Sequence, residues 1–399
     1  VDSFLYGVRA REPFATCLPS RQPHLGLPID PGCLHGDGAD PGVTEKRGQL
    51  GEPGTCREER ATAIRVANVT AARLGTMLSR VTELSWLSDR SVESVRGALQ
   101  RTIPELSGGS ITVHPGLEQS NPKWSAGSAV IDGLFVVKFA WSRLAAERRW
   151  YEAQILRSLG AQCADLRLPE IILLSNDPVL IVTRLVEGDP LTYERVGGAD
   201  PSQVDRIGAE LALFLSSLHR PEILLLVSEA IGTLEAPQPQ ASTAELRDRI
   251  APWVRADQLG MVFRWCEWVD DVLRNIDEAV FVHGDLHGHN EVWDHDRPAL
   301  RAVVDFESSG AVEAEYDFRY LPAQGPSVHL LLATARHYQD HTNRTPNIDH
   351  VMAWHILTAL GDALWRSEAG VALPGGGTPP QWVDELSARL DALKVGPRA

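Results

Sequence analysis

Residues 283–290 read His283-Gly284-Asp285-Leu286-His287-Gly288-His289-Asn290, and Val303-Val304-Asp305-Phe306-Glu307 follows after about the length of one hairpin. Short apolar runs, Ala279 to Val282 and Leu300 to Val304, lead into the two motifs as buried strands would. Between them Trp293-Asp294-His295-Asp296-Arg297-Pro298 carries turn chemistry, so the segments can fold back on each other and bring Asn290 near Asp305. The fold must therefore converge two strand ends on one point. Asp285, with a reference pKa of about 3.9, is ionised at neutral pH and can accept a hydrogen bond from an incoming hydroxyl. Asn290 and Asp305 are hard oxygen donors of the kind Mg²⁺ prefers. These are the parts that phosphoryl transfer needs: an acceptor held in line, and divalent cations to spread the phosphate charge.

The set His283-Gly-Asp285-Leu-His287 with Asn290, then Asp305-Phe-Glu307, resembles the aminoglycoside phosphotransferase family of small-molecule kinases. Protein kinases usually have Arg after the His and Lys two residues after the Asp, whereas this chain has Gly284 and His287. One departure is Glu307, where many kinases have Gly. The resemblance implies an α+β, bilobal, protein-kinase-like fold with a small β-rich N-lobe and a larger helical C-lobe. A rival reading takes His283, Asp285, His287 and His289 as a hydrolase's zinc cluster. That chemistry has no use for Asn290 or a second acidic strand end. A second His-Gly-Asp, at His35 to Asp37, has no strand before it and no Asn at the matching offset, so it reads as chance.

The segment from Ile111 to Leu159 supplies the parts of a nucleotide lobe. Ala129 to Ile131 and Leu134 to Phe139 read as a hairpin turned by Asp132-Gly133. Lys138 then sits inside an apolar strand, which is costly unless an anion meets it, and nucleotide phosphates are the expected partner. Ser142 caps a helix carrying Leu144, Tyr151, Ile155, Leu156 and Leu159 at near-helical spacing. By resemblance to the family, Glu152 of that helix pairs with Lys138, with Glu147 the alternative. Upstream, Gln119 to Ser128 occupies the position of the phosphate-covering loop without a Gly-x-Gly-x-x-Gly, leaving backbone amides and the Ser125 and Ser128 hydroxyls as phosphate contacts. Pro178 to Thr183 reads as a buried strand, and Thr183 to Val186 resembles the hinge whose backbone binds adenine.

The expected organisation is thus 77–182 as the N-lobe, 183–190 as the hinge and 191–399 as the catalytic and acceptor-binding lobe. In the last, Asp200-Pro201 starts a helix with Val204, Ile207, Leu211, Phe214, Leu215 and Leu218 on one face. Helical patterns recur at about 261–276, 350–365 and 382–393. Asp317 matches a family residue that braces the catalytic loop. Leu234 to Thr243 is polar and proline-interrupted, a lid or a surface loop. Residues 1–76 mix Gly, Pro, Arg and Cys without periodicity and are expected to be disordered, as a mis-called leader or a regulatory tail; helical patterning begins near Met77.

With 399 residues, 43% of them hydrophobic, the chain suits one two-lobed enzyme unit. The formal charge of −15 argues against nucleic acid and is compatible with a cationic acceptor. No apolar run is long enough to span a membrane and no basic-then-apolar leader is present, so a cytoplasmic location is expected. Cys163 and Cys266 have neither metal nor disulfide spacing. The reading is an ATP- and Mg²⁺-dependent O-phosphotransferase acting on a small molecule, first an aminoglycoside or related antibiotic. A metabolic kinase for an amino sugar, choline-like amine or other alcohol is the alternative, since the same parts serve each. A nucleotide-binding pseudokinase is a third, against which the intact set of Lys138, Asp285, Asn290 and Asp305 counts. Glu313, Glu315 and Asp362 are the carboxylates expected to draw a cation.

Overall fold

Asp132 and Gly133 both take positive φ, 51° and 66°, the paired left-handed positions that a primed two-residue turn requires. Around them β2 (Ala126–Ile131) and β3 (Phe135–Ala140) pair antiparallel, with Ser128 opposite Lys138. β1 (Ile111–His114) joins β2, while β5 (Val179–Arg184) and then β4 (Ile171–Asn176) extend the other side into a five-stranded sheet of order β1-β2-β3-β5-β4. The computed structural model describes residues 84–114, 125–163, 166–276 and 278–397. The expectations for residues 1–76, for the helical pattern from Met77, for the His35 copy and for the covering loop over 119–124 lie outside those residues.

Helix α1 (Val92–Thr102) is capped by Ser91 and shares a core with the sheet, where Val95, Ala98 and Leu99 meet Ile131, Val137, Phe139 and Leu180. Helix α2 (Arg143–Gln162) begins where Ser142 accepts a hydrogen bond from the Ala145 N–H. It packs beside β3 and β5, yet Ile155, Leu156 and Leu159 belong to the core of the helical lobe. One helix is therefore seated in both lobes. Strand β5 continues to Arg184, opposite Phe135, because backbone pairing extends the ladder past the last apolar side chain. Thr183 and Arg184, expected in the hinge, thus belong to the sheet. Residues 185–188 make the crossing before β6 (Asp189–Pro190) pairs with β8 (Glu291–Trp293).

The larger lobe is mostly helical. Helix α3 (Pro201–Leu218) has Asp200 and Gln203 as a reciprocal capping box and buries Ile207, Leu211, Phe214, Leu215 and Leu218, the expected face. It is followed by α4 (Pro221–Ile231), α5 (Ala256–Val272), α6 (His329–Thr342), α7 (Ile348–Ala369) and α8 (Pro379–Leu393). Helices α3 and α6 pack so closely that a Cβ on Gly208 would lie 2.7 Å from the Ala333 Cβ. Among the described residues no single helix is long and apolar enough to cross a membrane. Two small sheets carry the motifs. The chain folds back at the expected turn, but β9 (Leu300–Val303) pairs with β8, the segment just before that turn, whereas β7 (Val280–Val282), the run expected to fold back on it, pairs with β10 (Gly310–Val312). The polar stretch after α4 is tied down at Glu235, whose carbonyl accepts a hydrogen bond from the Ala311 N–H.

Candidate active site

The turn after β7 can only be built with a glycine at 284. Its φ is +80° and a Cβ there would lie 2.0 Å from the Ser308 carbonyl oxygen. Asp317, fully buried, accepts from the His283 N–H at 2.8 Å and the Gly284 N–H at 2.9 Å. His219 adds a third contact through Nε2 at 3.1 Å, while its Nδ1 lies 3.1 Å from the Tyr338 hydroxyl. Burial alone would raise the Asp317 pKa, but the bond to His219, its charge and the bound N–H groups outweigh this and hold it below the usual carboxylate range. The loop is thereby braced from behind, as the resemblance implied.

His283 is not a metal ligand in this arrangement. Its Nδ1 accepts from the Asp285 N–H at 3.2 Å, so Nε2 carries the proton toward the Val304 carbonyl at 3.0 Å. Burial lowers its pKa further from the charged form. With both nitrogens engaged by backbone, the alternating His and Asp do not assemble as a hydrolase centre.

Asp285 stands at the mouth of the loop, its side chain about a third exposed (31%). The Tyr320 hydroxyl donates to its Oδ1 at 2.7 Å and the Arg319 guanidinium lies 4.0 Å from the same oxygen. Asn290 donates through Nδ2 to the Asp285 backbone carbonyl at 2.8 Å, which turns Oδ1 away. That Oδ1 is buried with no hydrogen-bond partner among the described residues. Backbone pairing between the Val304 N–H and the Asn290 carbonyl, 2.9 Å, brings Asp305 alongside. Asp305 itself has φ 72° and ψ 62°, an uncommon conformation for a non-glycine residue and one found at functional sites.

Lys138 reaches Glu152 at 2.5 Å and Asp305 at 3.0 Å. The choice between the two glutamates is settled by the rotation of α2: Glu147 faces outward and pairs with Arg143 at 2.8 Å. Burial would lower the Lys138 pKa, but Asp305 and Glu152 outweigh it and the pKa is raised. Two further cations were not anticipated from the sequence. Arg149 bridges Glu152 at 2.7 Å, Asp305 at 3.3 Å and Glu307 at 2.8 Å, and Arg148 also pairs with Glu307. Glu307, in the position where many kinases have Gly, therefore anchors the Asp305 turn to α2. Glu152, Asp305 and Glu307 approach closely enough to suggest a metal cluster of their own, but Lys138, Arg148 and Arg149 already neutralise them. Glu152→Gln is expected to weaken nucleotide binding about ten- to a hundredfold, the loss of one charge-assisted hydrogen bond. Glu147→Gln should leave it unchanged, and a nucleotide titration of both variants makes the comparison.

Between the lobes lies a cleft lined by Val136, Lys138, Thr183, Val186, Val304 and Asp305 among others. The expected hinge residues and the phosphate-site residues thus share one cavity. Three expectations need correction. Ser128 is a buried residue inside β2, opposite Lys138, because the strand begins at Ala126; Ser125 ends the coil before it. Glu313 is fully buried, held by His350 Nδ1 and the Trp354 indole N–H, each at 2.7 Å. Glu315 is spent on Arg344 at 2.9 Å and the Asn347 N–H at 3.0 Å. Neither glutamate is presented to an acceptor. Asp362 is also paired, with Arg366 Nε 3.0 and 2.9 Å from its two oxygens, but it is partly exposed and stays a candidate: burial raises its pKa, Arg366 opposes this, and the charge of Asp285 adds to the rise.

The sequence model of the phosphotransferase enzyme family matches residues 83–348. No curated protein matches the chain by sequence. Among solved structures, the GDP complex of wild-type aminoglycoside 2'-phosphotransferase-IIIa superposes with a TM-score of 0.55 at 16% identity, covering 75% of this chain and 97% of that one. A macrolide 2'-phosphotransferase from Brachybacterium faecium gives 0.51 at 18% identity, with 77% and 100% covered. An ADP-bound aminoglycoside phosphotransferase, APH(2'')-Ib, gives 0.50 at 15% identity, with 74% and 95% covered. At these identities the likeness is one of fold.

Proposed function

This chain belongs to the phosphotransferase enzyme family, and on that premise we propose that it transfers the γ-phosphate of ATP, with Mg²⁺, to a hydroxyl of a small cationic molecule, an aminoglycoside or related antibiotic. The observation that carries the proposal is the orphaned Asn290 Oδ1. A buried acceptor without a donor costs about 1–3 kcal/mol, and a divalent cation held with Asp305 would remove that cost. The donor set, an amide oxygen and a carboxylate, is oxygen-only and suits Mg²⁺. When bound, the cation neutralises charge on the phosphate oxygens. Lys138 is placed to turn from Asp305 toward phosphate while Arg149 keeps Glu152 and Asp305 in position. Asp285 orients the acceptor hydroxyl and receives its proton as the acceptor oxygen bonds to the γ-phosphorus and the bond from that phosphorus to the bridging oxygen breaks, with ADP leaving.

The cationic acceptor is supported by the overall acidity of the chain; Asp362, paired with Arg366 at 2.9 Å and within reach of the Asp285 charge, is the carboxylate through which it is tested. A cytoplasmic location, where ATP is available, belongs to the same proposal. The test is a mass-shift screen of the purified chain with ATP and Mg²⁺ against aminoglycosides, macrolides, amino sugars and amino alcohols, with Asp285→Asn as the blank. An aminoglycoside should gain one phosphate, and Asp362→Asn should raise its KM about ten- to a hundredfold with ATP affinity unchanged. Asn290→Ala should abolish the Mg²⁺ dependence of ATP binding. A neutral acceptor as sole substrate, indifferent to Asp362→Asn, would remove the cationic part; ATP binding equally Mg²⁺-dependent in Asn290→Ala would remove the metal assignment.

A further inference from the structure

Residues 317–320 send three side chains to the same short loop. Asp317 takes its backbone N–H groups, Arg319 Nη2 donates to the Gly284 carbonyl at 2.6 Å, and the Tyr320 hydroxyl donates to the Asp285 carboxylate at 2.7 Å. The last contact matters because a carboxylate turns about a soft torsion with no sharp rotamer wells, and Asp285 is open enough to solvent to turn. Something outside the residue must fix which oxygen meets the acceptor.

We propose that Tyr320 is a positioning residue for Asp285: its hydroxyl pins Oδ1, which leaves Oδ2 to meet the acceptor hydroxyl, and Arg319 holds the phenol in place while supplying the nearby positive charge. This rests on the phosphotransferase reading of the site. The remaining neighbours agree with the division of labour. Asn290 Nδ2 and His287 Nε2 lie 3.5 and 3.6 Å from Oδ2, too far to bind it tightly. The His287 ring meets the Tyr320 ring edge-on, with centroids 5.5 Å apart.

Arg319 is itself built in. It is only 4% exposed, its guanidinium lies over the rings of Tyr316 and Tyr320 at 3.9 and 4.3 Å, and it donates to the Tyr316 carbonyl and the Thr358 hydroxyl. Behind it, His355 Nδ1 lies 2.7 Å from the Arg319 carbonyl. Where protein kinases usually carry a lysine two residues after the catalytic aspartate, this chain has His287, and the cation reaching Asp285 comes from the 317–320 turn instead. Burial pushes the Tyr320 phenol well above its ordinary pKa of 10; the Arg319 charge opposes this, and the charge and hydrogen bond of Asp285 add to the rise. At neutral pH the phenol is therefore a donor to the carboxylate.

Tyr320→Phe removes the hydroxyl and keeps both ring contacts. In the full chain, with ATP, Mg²⁺ and the acceptor that gains phosphate in the screen, or water as acceptor and ATP hydrolysis as readout if none does, kcat should fall about ten- to a hundredfold, the scale of a misplaced catalytic group. ATP affinity and melting temperature should stay at the wild-type values. In an Asp285→Asn background the same change should cost nothing more, because the residue it acts through is already disabled. Wild-type kcat in Tyr320→Phe, an equal fold-loss in the Asp285→Asn background, or a loss tracking ATP binding or melting would each overturn the inference. Full activity of Tyr320→Phe alone sinks only this role, whereas full activity of Asp285→Asn as well sinks the phosphotransferase reading.

Discussion

Asp285→Asn is expected to lower kcat by about a hundred- to ten-thousandfold, the range over which a positioned base acts, with ATP binding and thermal stability close to wild type. The substitution keeps the shape and keeps an oxygen to accept from Tyr320. It deletes the charge that draws the acceptor proton. Stability should be spared because Asn290 is tied to the Asp285 backbone rather than to its side chain, and because the buried Arg319 guanidinium, 4.0 Å from the Asp285 carboxylate, keeps its bonds to the Gly284 and Tyr316 carbonyls and the Thr358 hydroxyl. ATP affinity should be spared because the cation-rich end of the cleft is assembled from Lys138, Arg149, Glu152 and Asp305. Single-turnover phosphorylation, calorimetric ATP titration and a melting curve on the same preparation separate these three effects. Undiminished transfer by this variant is incompatible with Asp285 as the base.

The parts of the site that were legible in the sequence are those set by local geometry. Strand, turn and strand bring Asn290 beside Asp305 whatever the rest of the chain does, and Asp132-Gly133 forces its hairpin by backbone conformation alone. Glu152 was preferred to Glu147 by resemblance and not by pattern, since five residues are about 140° around a helix and the apolar stripe of α2 does not fix rotation that finely. Nothing in the sequence around Arg148 and Arg149 marks them as part of the site. Arg149 is buried and Arg148 half-buried because Glu307, more than 150 positions later, meets them from the other lobe.

The acidic residues after β10 misled for the same reason. Glu313 and Glu315 follow the Asp305 motif and look free in one dimension, but His350, Trp354 and Arg344 arrive from α7 and the chain before it to consume them. Tyr320 is the converse case. Nothing local marks it, and it acquires a role only because Arg319 and Asp317 turn the same segment back onto the catalytic loop. Long-range partners decided both outcomes, and composition could not.

Asp317→Ala should be the most destabilising of the substitutions considered, by about 3–5 kcal/mol, the usual cost of stripping a buried charge from its partners. The carboxylate is fully buried and accepts from two backbone N–H groups and from His219. Alanine leaves these donors facing a hole, each at a cost of about 1–3 kcal/mol unless water enters to relieve part of it. Because the folded-state pKa is depressed, the contribution is fully present above the unfolded pKa of about 3.9 and is lost as pH falls through the lower folded value. The stability gap between wild type and Asp317→Ala should therefore be constant near neutrality and narrow only below about pH 4. Denaturant titrations at pH 7, 5 and 3.5 measure the gap directly. The loop consequence is separate: without the brace the strained Gly284 turn is no longer held, so kcat should fall further than ATP affinity even where the variant is folded. A variant as stable as wild type, or a gap that widens in acid, would show that Asp317 does not carry the loop.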